Sequence, residues 1–310
     1  MKLFRGIAGL RRLGTDHAGG PAAAIGNFDG LHLGHQQLIR RARELGRERG
    51  APSAILFIEP HAREVLAPPS ERPPRVLPFA AKVRRMAESG IDAAVVLPFH
   101  QIRRWSAEEF ASTLFGERCL CAAVIGADFK FGAGRSGDVG LLHRIGSPRG
   151  IAVEVVDNVI EAGRRISSTW LRELLLAGDL ARAERLLGRP YAISGRIIAG
   201  QRRGREIGFP TANLRLGRAR RLCLSGVYAV RAHLASGAVH AAVANVGERP
   251  TLAAGRSLEA HLFDFAGDLY GEYLTLEFVQ KLRPEQRFDS VEQLRQQIER
   301  DCILARGVLG

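Results

Sequence analysis

Cysteine is scarce in this chain. There are four, Cys119, Cys121, Cys223 and Cys302. No two are in C-x-x-C spacing and no histidine cluster accompanies them, which argues against a structural zinc site. They read as reduced thiols of a cytoplasmic protein. Long apolar runs are missing too: none reaches the roughly 20 residues a membrane-spanning helix needs. Met1 to Gly14 is interrupted by Arg5, Arg11 and Arg12, so it lacks the apolar centre of a secretion signal. Lysine is nearly absent. Only four of the 45 basic residues are lysine (Lys2, Lys82, Lys130 and Lys281), and the rest are arginine. A G-x-x-x-x-G-K-[ST] phosphate loop occurs nowhere.

What is present is a basic, globular composition. The formal charge is +13 and 46% of residues are apolar, which excludes general disorder. Arginine grips phosphate in bidentate fashion, so nucleic acid and polyphosphate ligands are both open, as is a merely solvated basic surface. The 310 residues suggest two domains.

The first half alternates strand and helix. Ala22–Ile25, Ser53–Ile58, Ala93–Leu97, Ala122–Ile125 and Ile151–Val156 read as buried strands. Helices are expected over Gln36–Glu48, Pro78–Ser89 and from a Ser106/Glu109 capping box to Leu114. Pro60–Pro74 reads as a loop. Such a pattern predicts a Rossmann-like parallel sheet covered on both faces, with ligands at the carboxyl ends of its strands. Two more helices, Ser168–Leu176 and Asp179–Leu187, precede the Gly188-Arg189-Pro190 break. Beyond it come strand-like runs at Tyr191–Ala199, Gly226–Leu234, Val239–Val246, Leu258–Phe265 and Tyr273–Lys281 with no helix between them. That predicts a small antiparallel β-barrel. A closing helix follows, capped by Ser290 and with Leu294, Ile298 and Ile303 as its apolar face. The expected domains are 1–187 and 188–310.

Gly26-Asn27-Phe28-Asp29-Gly30-Leu31-His32-Leu33-Gly34-His35 runs from a strand through a glycine turn into a helix start. Glycine lets the backbone approach phosphate, and a helix N-terminus attracts anions. His32 and His35, three apart, can face one ligand. The pattern H-x-G-H resembles that of the adenylyltransferase superfamily. Ile166-Ser167-Ser168-Thr169-Trp170-Leu171-Arg172 is similar to the I-S-S-T-x-x-R element that accompanies it, although alone it also fits an ordinary Ser/Thr helix cap. The reaction implied is attack of a phosphate on the α-phosphorus of ATP. His32 and His35 would stabilise oxyanions, and Ser168 and Arg172 the β,γ-phosphates. Glu59-Pro60-His61 and the loop Asp128-Phe129-Lys130-Phe131-Gly132 follow neighbouring strands and can reach the same place. Core packing is the other reading of the two phenylalanines.

The second half carries glycines four apart, Gly200, Gly204 and Gly208, and then Phe209-Pro210-Thr211-Ala212-Asn213. A glycine loop closing over phosphates fits, with Gly204 and Gly208 at the nucleotide. Thr211 and Asn213 share one side of an extended segment and offer hard oxygens suited to Mg²⁺. A glycine turn entering a strand fits these residues equally. Alternation places Glu259 and His261 together, opposite Leu258, Ala260 and Leu262. Glu259 could accept a proton from an attacking hydroxyl, or the face could simply be solvated.

In sum of its motifs the chain resembles the prokaryotic bifunctional riboflavin kinase/FAD synthetase family. The likeness runs through Gly26–His35, Phe57–His61, Gly126–Gly137, Ile166–Arg172, Gly204–Leu214, Gly226–Val230, Asn245–Thr251, Leu258–Gly271 and Asp301-x-x-x-Ala305-Arg306. It implies a barrel that phosphorylates riboflavin to FMN and an α/β domain that adenylylates FMN to FAD, both with ATP and Mg²⁺. By motif, Gly26, Phe28, His32, His35, Arg165, Ser168, Thr169 and Arg172 would hold ATP for adenylylation. His61, Asp128 and Phe131 would line the FMN side. Thr211 and Asn213 would handle Mg²⁺ and phosphates, and Glu259 would be the general base. Trp170, where the family often has arginine, Ala62 and Lys130 depart from the pattern. The implied partners are small molecules, with no specific nucleic acid and no membrane; a homo-oligomer stays open. Two alternatives are a chain retaining only the kinase activity and a basic RNA-binding regulator. The latter would carry aromatic–basic stacking motifs, and none is found.

Overall fold

The computed structural model describes residues 1–15, 19–116, 119–200, 204, 207–216, 222–248 and 256–310. The chain forms two compact units, residues 1–73 with 83–167 and residues 74–82 with 168–310.

The first unit holds a six-stranded parallel sheet. Its strands are β1 (Lys2–Arg5), β2 (Ala22–Gly26), β3 (Ser53–Glu59), β4 (Ala93–Pro98), β5 (Ala122–Gly126) and β6 (Ala152–Val156). Their order across the sheet is β1-β4-β3-β2-β5-β6. The central strands are apolar along both faces, so both must be covered. One face meets α1 (Gly6–Thr15) and the helices Phe99–Ile102, Ala107–Leu114 and Val139–Gly146, joined in a core with Leu10, Ile25, Leu56, Val95, Phe110 and Leu142. The other meets α2 (Leu33–Glu48), whose Leu38, Ile39, Ala42 and Leu45 are buried. Each fully buried Leu or Ile contributes about 1.5–3 kcal/mol, and Ile55 and Leu56 are wholly covered. The chain leaves β2 toward β3 on one side, and β5 later returns to its other side. The order therefore reverses between β2 and β5, and that crevice is where open α/β sheets bind ligands.

In the second unit six antiparallel strands close a barrel. They are β9 (Ala192–Ile198), β10 (Ala212–Arg215), β11 (Gly226–Leu234), β12 (Val239–Glu248), β13 (Arg256–Leu262) and β14 (Tyr273–Arg283), counting β7 (Ile160–Glu161) and β8 (Arg164–Arg165) as a hairpin of the first unit. Alternation divides their residues. Tyr228, Val230, Ala244, Leu258, Ala260 and Leu276 are buried on one face. The closing helix Val291–Leu309 packs on the other, where Ala305 joins Val227, Ala229, Val243 and Phe263. That helix buries Asp301 and Ala305 and partly Cys302, Val308 and Leu309. Ile303, expected on the packing face, is 70% exposed. At 100° per residue it has turned away from the 301/302/305 stripe.

β1 and α1 were not expected, nor were β7–β8 and the short helix Ala62–Leu66 inside the proline-rich segment. The barrel takes a sixth strand, β10, from the segment of Thr211 and Asn213.

Candidate active sites

Three of the four residues 28–31 in the turn after β2 have an unusual backbone. Phe28, Gly30 and Leu31 have φ of 50°, 86° and 47°, a left-handed region that costs a non-glycine residue of order 1 kcal/mol or more. Phe28 nonetheless sits fully buried, so packing holds the turn. It ends at His32, the N-cap of α2, whose Nδ1 accepts from the His35 N–H at 3.4 Å. The two imidazoles stack with centroids 3.6 Å apart and 17° between planes. Phe28 lies 5.1 Å from His35. Gly26, Phe28, His32 and His35 thus form one cluster at the mouth of the β2/β5 crevice.

A second group reaches the same unit's loops. Asp128, just past β5, pairs with Arg165 of β8 at 2.5 Å. The β7–β8 hairpin stands beside the start of α2, since a Cβ added at Gly34 would lie 4.0 Å from Val159. The Val159 carbonyl accepts from Ile166 N–H at 2.9 Å, which closes the hairpin. Phe131 is 6% exposed and packs against Phe110 and Phe129 at 5.3 and 5.5 Å; Phe129 is the more open ring. Lys130 pairs with Asp138 at 3.5 Å. Asp138 caps Val139–Gly146, and that backbone N–H bond, with Lys130, holds its carboxyl below the usual range. His61 caps the helix Ala62–Leu66, its Nδ1 accepting from Arg63 N–H at 3.1 Å.

Ser168, Thr169 and Arg172 lie on the helix Ser168–Ala177, in the second unit. Arg172 donates from Nε to the Pro74 carbonyl at 2.9 Å. Trp170 is buried with Leu171, Leu174 and Leu175, so its side chain serves as core.

On the barrel, Asn213 of β10 and Asn245 of β12 stand opposite Glu259 of β13, one on each side. Cross-strand partners have Cβ atoms about 5 Å apart. The row lies on the face away from Leu258 and Ala260, and Asn213 is buried. A Cβ at Gly204 would come within 2.4 Å of the Phe209 carbonyl, so only glycine fits there. Gly208, at φ 88°, also has a glycine conformation. Asn245 was missed as an individual residue, because its partnership with Glu259 is visible only in the strand register. Arg202, Arg203, Arg205 and Glu206 of the glycine loop, and the end of the Asn245–Thr251 segment, fall outside the described residues.

The closing helix is tied beside this row. Arg306 bonds both oxygens of Asp264 at 2.8 and 3.0 Å and lies 4.4 Å over the Phe263 ring. The guanidinium holds the Asp264 carboxyl below its usual range. Asp301 accepts from Arg283 at 2.8–3.0 Å and from Gln297 at 2.9 Å. None of the four cysteines forms a disulfide, and burial pushes the Cys302 thiol up to about 11.

Known proteins match both halves. The FAD synthetase family profile matches residues 15–170 and the riboflavin kinase profile residues 187–309. A Pseudomonas fluorescens protein described as bifunctional riboflavin kinase/FMN adenylyltransferase is 43% identical, over 99% of this chain and 98% of its own. An Escherichia coli K12 protein of the same description is 41% identical over 100% and 98%. A solved structure from Streptococcus pneumoniae, described as a macrolide-efflux protein, superposes with a TM-score of 0.78 at 28% identity, covering 99% of both chains. That description differs from those of the relatives with higher identity, and two independent profiles agree with the latter. Among the described residues no helix is long and apolar enough to cross a membrane.

Proposed function

The chain belongs to the bifunctional riboflavin kinase/FMN adenylyltransferase family, and on that premise we propose how its residues divide the work. It phosphorylates riboflavin to FMN and adenylylates FMN to FAD. ATP is the phosphoryl and adenylyl donor. We assign adenylylation to residues 1–187 and phosphorylation to 188–310, and place both in the cytoplasm, where thiols outside disulfides, such as these, persist.

For adenylylation, an FMN phosphate oxygen attacks the α-phosphorus of ATP and pyrophosphate leaves. The nucleophile is already anionic, so positioning and charge neutralisation carry the rate. His32 and His35 donate hydrogen bonds to the oxygens on the α-phosphorus. Gly26 and Phe28 shape the turn beneath the nucleotide. Arg165, Ser168, Thr169 and Arg172 take the β,γ-phosphates and leaving group. His61, Asp128 and Phe131 lie toward FMN, with most of the Phe131 ring in the protein core.

For phosphorylation, the terminal ribityl hydroxyl of riboflavin attacks the γ-phosphorus of ATP, the bond from that phosphorus to the β,γ-bridging oxygen breaks so that ADP leaves, and Glu259 takes the hydroxyl proton. Gly204 and Gly208 allow the loop close to the phosphates. Mg²⁺ suits Thr211 and Asn213, whose oxygens are hard donors. A Cβ at Gly200 would stand 2.5 Å from Asn213 Nδ2, so the bare glycine leaves the amide its place. When bound, Mg²⁺ draws charge from the transferring phosphoryl oxygens. The nucleotide's own phosphates would complete the ion's shell of oxygens.

The observation that carries this reading is the register pairing of Asn213 with Glu259, which sets an amide and a carboxylate side by side on a barrel face. The test is incubation with riboflavin, ATP and Mg²⁺ and chromatographic separation of flavins. FMN and then FAD should accumulate. Protein that yields neither sinks the reading, and FMN alone reduces it to a kinase.

A further inference from the structure

We infer that His261 is a positioning residue of the kinase site, fixing the end of the glycine loop so that Thr211 meets the nucleotide's cation in register with Glu259. The inference rests on the kinase reading above. His261 lies two residues beyond Glu259 on β13, on the same face. Its Nδ1 is 2.8 Å from the Pro210 carbonyl. A carbonyl can only accept, so Nδ1 carries the proton and donates. Pro210 immediately precedes Thr211.

The contact is one of a set. The Phe209 ring meets the His261 imidazole edge-on, 5.4 Å between centroids at 83°. Phe263, in the turn just past β13, meets it at 5.9 Å and 66°. Phe209 N–H in turn donates to the Gly204 carbonyl at 2.7 Å, which closes the loop upon itself. From Phe209 the chain runs through Pro210 and Thr211 to Ala212, opposite Ala260, and to Asn213, opposite Glu259. Two anchors therefore bracket Thr211: the strand pairing after it and the His261 bond before it. Among the described residues, 207–211 lie ahead of the ladder, since β10 begins at Ala212. Without the His261 bond, nothing in β13's ladder would hold the Thr211 hydroxyl to the position of its neighbour Asn213.

A hydrogen bond and an edge-on ring contact together amount to roughly a tenfold effect in binding. In His261→Ala we expect the Mg²⁺ concentration for half-maximal FMN formation, and the KM for MgATP, to rise about tenfold. FAD formation from supplied FMN should stay unchanged. Asn places an amide N–H near the position of Nδ1, so His261→Asn should recover most of the loss. Amide hydrogen exchange supplies a readout independent of turnover: exchange at Thr211 and Ala212 should speed up in the Ala variant and slow again in the Asn variant. Wild-type protein that makes no FMN would overturn the kinase reading, and the exchange data would then decide the anchoring by themselves. An alanine variant with wild-type Mg²⁺ dependence and exchange overturns the inference. So does an asparagine variant as impaired as alanine.

Discussion

His32 stacks on His35 with 3.6 Å between ring centroids, while the His32 Nδ1 accepts the His35 backbone N–H. The cap bond fixes the first ring and the stack fixes the second, so both imidazoles are oriented before any nucleotide arrives. Such preorganised donors are worth about 10²–10³ in rate when removed singly. His32→Ala should cut FAD formation by at least that factor, because it takes one donor and frees the other ring. FMN formation from riboflavin should remain within about twofold, as judged by resolving the two half-reactions with FMN or riboflavin supplied. Loss of both activities in folded protein would contradict a division into two sites.

Glu259 makes the converse case. Its strand neighbours Asn213 and Asn245 keep a carboxylate beside amides, where Glu259→Gln preserves shape and removes basicity. General-base loss costs about 10²–10⁴. FMN formation should fall by that range with the KM for riboflavin little altered, and adenylylation of supplied FMN should persist. A glutamine variant with full kinase turnover would show that another group takes the proton.

How far these sites could be read from the sequence depended on range. The parallel strands declared themselves as unbroken apolar runs, and Ser106 with Glu109 forms the expected capping box, with bonds of 3.0 and 2.7 Å. Ser290 likewise caps the closing helix through Gln293 N–H. Lys2–Arg5 escaped because four residues with charged ends show no period, and its pairing with β4 is set some 90 residues away. The two-residue strands of β7 and β8 are shorter than any pattern. Pro74–Lys82 looked like part of the first half, yet it belongs to the second unit through bonds no local rule contains: Tyr191 Oη to the Val76 carbonyl and Cys223 Sγ to the Arg75 carbonyl. The motif residues were legible by type; Asn245 and His261 acquired meaning only from register.

Asp128 and Arg165 are 58% and 41% exposed in their side chains. An ion pair so open is worth little, about 0–1 kcal/mol, and is screened by salt. Arg165→Met should therefore leave thermal stability nearly unchanged while raising the KM for ATP in FAD formation several-fold. Asp128→Asn should act on FMN instead. A double-mutant cycle on melting temperature should give coupling near zero; a large coupling would make the pair a structural fastener rather than two substrate contacts.

Trp170 is 9% exposed among Leu171, Leu174 and Leu175. Truncating a buried tryptophan costs about 3–5 kcal/mol, so Trp170→Ala should lower the urea midpoint of the second unit markedly. Trp170→Arg should destabilise as well, since it brings a guanidinium into an apolar setting. An arginine variant that melts with the wild type would show that the helix can turn this position to solvent.

Cys302 lies where the closing helix covers the barrel, and burial there, with Asp301 adding to it, raises its thiol to about 11. Its neutral form is the one folding favours. The contribution to stability is complete below the unfolded thiol's pKa of about 8.5 and is lost as pH rises toward 11. At pH 8 the thiolate fraction is smaller than that of a free cysteine by roughly a hundredfold, and thiolate is the reactive species. In a variant with Cys119, Cys121 and Cys223 replaced by serine or alanine, an aromatic disulfide reagent should therefore react about a hundred times more slowly than with a free thiol at pH 8. The rate should climb tenfold per unit until near pH 11, and urea should abolish the protection. Fast labelling of the folded variant at pH 8 would mean that the helix does not stay seated on the barrel.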